Sequence, residues 1–295
     1  MPAEMDARDM EVFLSVAKHL NFTRAGKEVH LSQPSVSVRV RQLERDLGVK
    51  LFEQLGRRVT LTEAGRLLVP HASRVLAAMD DARHAVEELQ GLERATIRIG
   101  ASTTPGMYLV PKIIARFMRR HPKVEIHLGI EDTRRVEEGV AANEFDFGFV
   151  GGHLVGDQID VIPWLTDEVM LVAPPGHALI RKRIVGPKDI AGEPFIFREQ
   201  GSATQAAVER GLRASDLQVK AVMEMSNPEA VKQAVQGGLG LAFLSRFAVE
   251  AELKAGTLAA VRVRGLAVRR ELKIVHRRDK HLSRAVRAFI QTAKR

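Results

Sequence analysis

Cysteine is missing from this 295-residue chain, and that absence removes disulfides, thiolate metal sites and thiol catalysis at once. No apolar run reaches the length of a membrane-spanning helix. The opening MPAEMDARDMEVF lacks the basic-then-apolar pattern of an export signal. A cytoplasmic protein without a membrane partner is expected. HExxH, GxSxG and Walker loops are also missing, and the ten histidines are scattered, which speaks against an enzyme. GGLGLAF (237–243) has the look of a dinucleotide loop but lacks the third glycine and follows a helical pattern rather than a strand. No cofactor is expected.

Charge is present but unevenly placed. Of 45 Lys+Arg and 36 Asp+Glu, net +9, residues 1–95 hold 14 against 14, residues 96–261 hold 19 against 20, and residues 262–295 hold 12 against 2. The surplus therefore sits in the last 34 residues, where a solvated final strand and helix is the expectation. Net charge is no argument for a nucleic-acid partner here.

Local pattern supplies that argument. In SQPSVSVRVRQLERDLG (32–48), Val36, Val40, Leu43 and Leu47 form one apolar stripe at helical spacing. Ser32 suits the N-cap, Pro34 the first turn and Gly48 the stop. At about 100° per residue, Pro34, Val38, Arg41, Gln42 and Arg45 lie opposite the stripe, flanked by Ser35 and Ser37. Arginine, glutamine and serine can read base edges, and an exposed valine can meet a thymine methyl. Upstream, Met10, Phe13, Leu14, Ala17 and Leu20 mark another helix. A short one follows from about Arg24 to Val29, with Thr23 as its cap, Phe22 as a staple and a turn at His30–Leu31. Three helices in this arrangement form a helix-turn-helix. VKLFEQLGRRVTLTEAG (49–65) then reads as a hairpin, or wing, with Arg57 and Arg58 at its tip, suited to the minor groove or a flanking phosphate.

Thr62 caps a long helix whose Leu68, Ala72, Val75, Met79, Ala82, Val86 and Leu89 keep strict heptad spacing, the seam of a two-chain coiled coil. Pro70 should bend it or open one hydrogen bond. From Thr96 onward strands and helices alternate (TIRIGAS, LVPKIIARFMRRH, VEIHLGI, RRVEEGVAANE, DFGFVGG, EVMLVAPP, PFIFREQ, TQAAVERGLRA, VKAVMEM, PEAVKQAVQGG, GLAFLS), as in parallel sheets wrapped by helices. The length suits two lobes.

The segment FLSVAKHLNFTRAGKEVHLSQPSVSVRVRQLERDLGVKLFEQLGRRVTLTEAG (13–65), followed by a long helix and a two-lobed region, resembles the LysR-type transcriptional regulators over essentially the whole chain. The resemblance implies a multi-domain protein: an all-α winged helix-turn-helix domain (1–62), a linker and dimerisation helix (63–91), and an α/β effector domain (96–295) shaped like periplasmic binding proteins. Lobe I would take about 96–165 and 266–295, lobe II about 166–265. It implies double-stranded DNA as partner, a homodimer assembling to a homotetramer, and RNA polymerase as a further partner. Ser32, Gln33, Pro34, Ser35, Ser37, Val38 and Arg41 would meet DNA from the recognition helix, Arg57 and Arg58 from the wing. Val38 and Gln54 depart from the residues the family usually carries there. STTPGMYLVPKIIARFMRRHP and FREQGSATQ are similar to the carbon-fixation and sulfur-assimilation regulators of the family.

Two strand-to-helix junctions, ASTTPG with Ser102, Thr103 and Thr104, and REQGSATQ with Arg198, Gly201, Ser202 and Thr204, offer hydroxyls and helix starts to an anion. In lobes of this shape both would face one cleft, with SNPE (226–229) as a third candidate wall. A small anionic metabolite is the expected co-inducer. Peroxide sensing through cysteine is excluded. A solute-binding protein would leave the first 90 residues unexplained.

Overall fold

The computed structural model describes residues 6–55, 58–87, 95–152, 156 and 158–295. The chain divides into two compact units, residues 1–90 and 91–295.

In the first unit, α1 (Ala7–His19), α2 (Phe22–Glu28) and α3 (Gln33–Leu47) pack around Val12, Phe13, Val16, Ala25, Val36 and Leu43. Full burial of such a side chain contributes about 1.5–3 kcal/mol. Asn21, not Thr23, caps α2, its side chain accepting from the Arg24 N–H at 2.9 Å. The helix therefore starts earlier than the apolar spacing indicates, and Phe22 stands inside it against Phe52. Gly26 is required between α2 and α3, because a Cβ there would lie 2.6 Å from the Leu31 carbonyl oxygen. The hairpin β1 (Phe52–Leu55) and β2 (Arg58–Leu61) is antiparallel and pairs Leu55 with Arg58.

The Thr62 hydroxyl accepts from the Gly65 N–H and opens α4 (Glu63–Glu87), which continues past Pro70. Along the heptad, Ala72 is buried and Leu68 partly buried in the unit's own core, whereas Val75, Met79 and Val86 are exposed. Only the later part of the seam is therefore free to pair with another chain. Leu89 lies outside the described residues.

In the second unit β3 (Thr96–Ser102), α5 (Thr103–Tyr108), α6 (Val110–Met118), β4 (Glu125–Glu131), α7 (Thr133–Ala141) and β5 (Phe147–Gly151) alternate. The long β6 (Ile159–Ala173) leads to α8 (Pro187–Ala191), β7 (Pro194–Arg198), α9 (Ala203–Ala214), β8 (Lys220–Met225), α10 (Pro228–Gln236), β9 (Leu241–Ser245) and α11 (Arg246–Ala255). The short β10 (Ala259–Val261), then β11 (Val268–Arg277) and α12 (Arg284–Ala293) complete the chain. The strands join in the order β4-β3-β5-β11-β6-β9-β7-β8, with β10 on β6. Pairs are parallel at each end and antiparallel where β11 meets β5 and β6.

Two lobes arise because β6 and β11 pass from one core to the other. Ile162, Trp164 and Ile274 pack with lobe I, Leu171 and Val268 with lobe II. Their register shifts between Leu272 and Lys273, opposite Leu165 and Pro163. Leu266 and Val268 belong to the lobe II core, so the return crossing lies nearer Arg270 than position 266. β6 is also longer than EVMLVAPP; its first half, IDVIPWL, carries a proline and mixed polarity that hide a strand in the sequence.

Most cations of the basic tail are solvated as the charge count leads one to expect, Arg262, Arg264, Arg269, Arg278, Arg284, Arg287, Lys294 and Arg295 being exposed, and the exceptions lie on β11 and just after it. β11 is an inner strand, and Arg270, Arg277 and Lys280 are buried. Lys280 donates to Asp146 at 2.8 Å, and Arg270 to Asp167 at 2.9 Å. Buried cations need such partners. Among the described residues no helix is long and apolar enough to cross a membrane.

Candidate functional site

The first site is the outer face of α3. Ser32 caps the helix, its hydroxyl accepting from the Ser35 N–H at 3.3 Å, and Gly48 ends it in the left-handed region. Ser32, Gln33, Pro34, Ser35 and Arg41 are exposed, Ser37 is half-buried, and Val38 is 53 % exposed. An apolar side chain left that open on an otherwise polar face suits a methyl group rather than water. Gln33 donates to the Ser37 hydroxyl at 2.9 Å, and Arg41 folds back on the Ser37 carbonyl at 3.2 Å. These bonds hold the polar heads in place without burying them. Gln42 and Arg45 continue the face and bond to each other.

The wing stands beside α3 because of Glu44, a residue that spacing alone does not single out. Its buried carboxylate accepts from the backbone N–H groups of Leu51 and Phe52 at 3.0 and 3.3 Å and from Lys50 at 2.7 Å. Gln33, Pro34, Ser37, Arg41, Glu53 and Val59 line one groove between helix and hairpin, about 510 Å³ in volume. Arg58 is exposed at the start of β2. Arg57 lies outside the described residues. Arg39 instead turns back to the core side and pairs with Asp9 at 2.6 Å, raising its already high pKa.

The second site is the cleft between the lobes of the second unit. All seven residues singled out at the two junctions line it: Ser102, Thr103 and Thr104 where β3 enters α5, and Arg198, Gly201, Ser202 and Thr204 where β7 leads to α9. Gly201 sits at φ +92°, a conformation that favours glycine. The Ser202 hydroxyl caps α9 through the Gln205 N–H, whereas the Ser102 hydroxyl makes no capping bond. The Ser202 oxygen is thus fixed in place as an acceptor with its O–H still able to donate, while the Ser102 oxygen is not held by a cap. α5 is too short, at six residues, for its dipole to matter much.

Asp132, Thr133, Glu199 and Arg270 complete the wall. Arg270 escaped sequence reasoning because it belongs to the basic tail, where one more arginine carries no distinguishing mark. Burial and the charge of Arg198 depress its pKa, opposed by Asp167. Its Nη2, buried, lies 2.8 Å from Asp167 Oδ2 in an ion pair without hydrogen-bond geometry. SNPE does not line the cleft. Asn227 caps α10, and the Ser226 carbonyl accepts from Arg198 at 3.0 Å. Glu229 reaches the opposite lobe, taking the Tyr108 hydroxyl at 2.6 Å. The cleft has a volume of only about 20 Å³, roughly the room of one water.

Helix, wing and two-lobed cleft match known proteins throughout. Residues 7–66 match the bacterial regulatory helix-turn-helix protein, lysR family, and residues 90–295 the LysR substrate binding domain. A RuBisCO operon transcriptional regulator of Allochromatium vinosum is 36 % identical over 282 residues, covering 96 % of this chain and 93 % of that protein. Full-length CbnR, solved with its target DNA, aligns with a TM-score of 0.68 at 18 % identity over 98 % of this chain and 99 % of that one. The CcmR regulatory domain of Synechocystis, solved with 2-PG, aligns at 0.63 and 24 % identity over 68 % of this chain and 96 % of that one. The chain belongs to the LysR family of bacterial transcriptional regulators.

Proposed function

We propose that this regulator binds promoter DNA through the outer face of α3 and the wing, and that a small anion entering the interlobe cleft changes that binding. It acts as a regulator in the cytoplasm and not as an enzyme. The exposed Val75, Met79 and Val86 pair α4 with a second copy, and two such dimers form the tetramer. Ser32 to Arg41 take the base edges and adjoining phosphates, and Arg57 and Arg58 take the backbone beside them. RNA polymerase is the downstream partner.

One observation carries the effector half: two junctions nearly a hundred residues apart in sequence line one cleft with two arginines. Hydroxyls and guanidinium groups around one point suit an anion. The present volume does not admit a metabolite, so binding goes with a rearrangement of the cleft, which a change in the angle between lobes would pass on. That CcmR was solved with 2-PG supports the same class of ligand here.

The test is a promoter-binding titration with and without 2-PG, for the natural chain and for Ser102→Ala with Thr104→Ala. The double variant should keep its DNA affinity and lose the response. A retained response would remove the cleft from the proposal.

A further inference from the structure

Glu199 belongs to the cleft wall, yet as a carboxylate it cannot hold an anion, and it occupies the site's cation. At the end of β7, Arg198 has a side chain only 3 % exposed. Its Nε and Nη2 donate to Glu199 Oε2 and Oε1, both at 2.8 Å, and Nη2 also reaches the Ser226 carbonyl at 3.0 Å. Glu199 keeps 29 % of its side chain exposed. Of the pair, the carboxylate is therefore the partner with a route to water.

Arg270 is held differently. Its Nε donates to Asp167 Oδ2 at 2.9 Å, and Asp167 also takes the Ser245 hydroxyl at 2.8 Å. Asp167 is fully buried and cannot swing out. Arg270 Nη2 lies 2.8 Å from the same carboxylate oxygen but finds no hydrogen bond there or elsewhere. Nη2 of this buried, cleft-lining guanidinium is thus ion-paired but makes no hydrogen bond.

The charges decide what can enter. Arg198 and Arg270 on the cleft wall are matched by Asp132 and Glu199, and Asp167 stands behind Arg270. Counted together, two positive groups face three negative ones. An incoming anion meets no net attraction while Glu199 stays in place. With Glu199 turned to solvent, Arg198 is free and the balance is even.

Resting on the proposed anion site, we infer that Glu199 is a tethered stand-in ligand that occupies Arg198 until an oxyanion of the phosphate or sulfate type replaces it. A free monocarboxylate only exchanges one carboxylate for another of the same kind, against a tethered competitor at high effective concentration. An anion with three or more oxygens can take Arg198, the Nη2 of Arg270 and the Ser102 hydroxyl together. Glu199 so sets both the concentration threshold and the class of effector.

Calorimetric titration of the full-length chain with inorganic phosphate, sulfate and acetate tests this. Removing a competing charge-assisted pair should tighten phosphate or sulfate binding about tenfold in Glu199→Gln. Glu199→Asp, which keeps the charge on a shorter arm, should fall between the two. In the natural chain acetate should bind more weakly than either oxyanion. If the natural chain binds phosphate and Glu199→Gln binds it no tighter, the stand-in role is overturned while the anion site stands. If neither protein binds phosphate or sulfate, the anion site falls and the stand-in role with it.

Discussion

The two units differ in where they bury cations. In the first, Arg41, Arg45 and Arg58 stand exposed on α3 and the wing, within a unit whose charges balance. In the second, most cations of the basic tail are exposed as well, but Arg270 and Lys280 are buried and pair with Asp167 and Asp146. Burial and pairing mark the cations that hold the sheet together, and net charge does not mark the proposed DNA-binding face. A charge count taken along the sequence points to the end of the chain away from the proposed DNA-binding face.

The comparison breaks most visibly at Asp167. Asp167→Ala should leave Arg270 buried and uncompensated, costing the second unit about 3–5 kcal/mol in denaturant unfolding. An unchanged midpoint would mean that the pair is not what secures the crossing strands. On the other unit, Arg41→Ala should cost about 1–3 kcal/mol of discrimination between promoter and random duplex with little change in unfolding. Arg58→Ala should instead weaken all duplexes alike and lower the salt slope by about one. Loss confined to a single base position would reassign that residue. Ser32→Ala, which removes the cap of α3, should cost the first unit about 1 kcal/mol.

The smallest effect is a pH dependence at the link between lobes. Burial raises the Tyr108 pKa, and its hydrogen bond to Glu229 adds to this. On Glu229 burial pulls the other way, but the bonds from Tyr108 and Lys232 leave its pKa below the ordinary value of 4.5. A lowered carboxyl pKa gives stability that is present above the unfolded value and lost as pH falls through the folded one. Lys232, opposed by burial but raised by Glu252 and Glu229 above 10.5, gives stability present below that value and lost as pH rises through its folded pKa. Glu229→Gln should flatten the acid limb of a stability-versus-pH curve and leave most of the alkaline limb. Equal loss of both would tie Lys232 to Glu229 alone, against its 2.7 Å bond to Glu252. Trp164, the sole tryptophan, lies on β6 beside the register shift and serves as a fluorescent reporter of the second unit.

Much of this was written in short-range pattern. The apolar stripe of α3, its Ser32 and Gly48 ends, the Thr62 cap and the alternation after Thr96 depend on neighbours within a turn or two, so the sequence by itself determined them. So too did the hydroxyl-bearing junctions at 102–104 and 201–204. The tertiary structure alone decided that Glu44 would seat the wing, that the start of the α4 seam, Leu68 and Ala72, would be used at home, and that Arg270 would stand in the same cleft as Ser102 and Arg198. The reason is the double crossing of β6 and β11. It brings positions 102, 198 and 270 together through pairings between distant segments, and no local periodicity encodes which strands become neighbours.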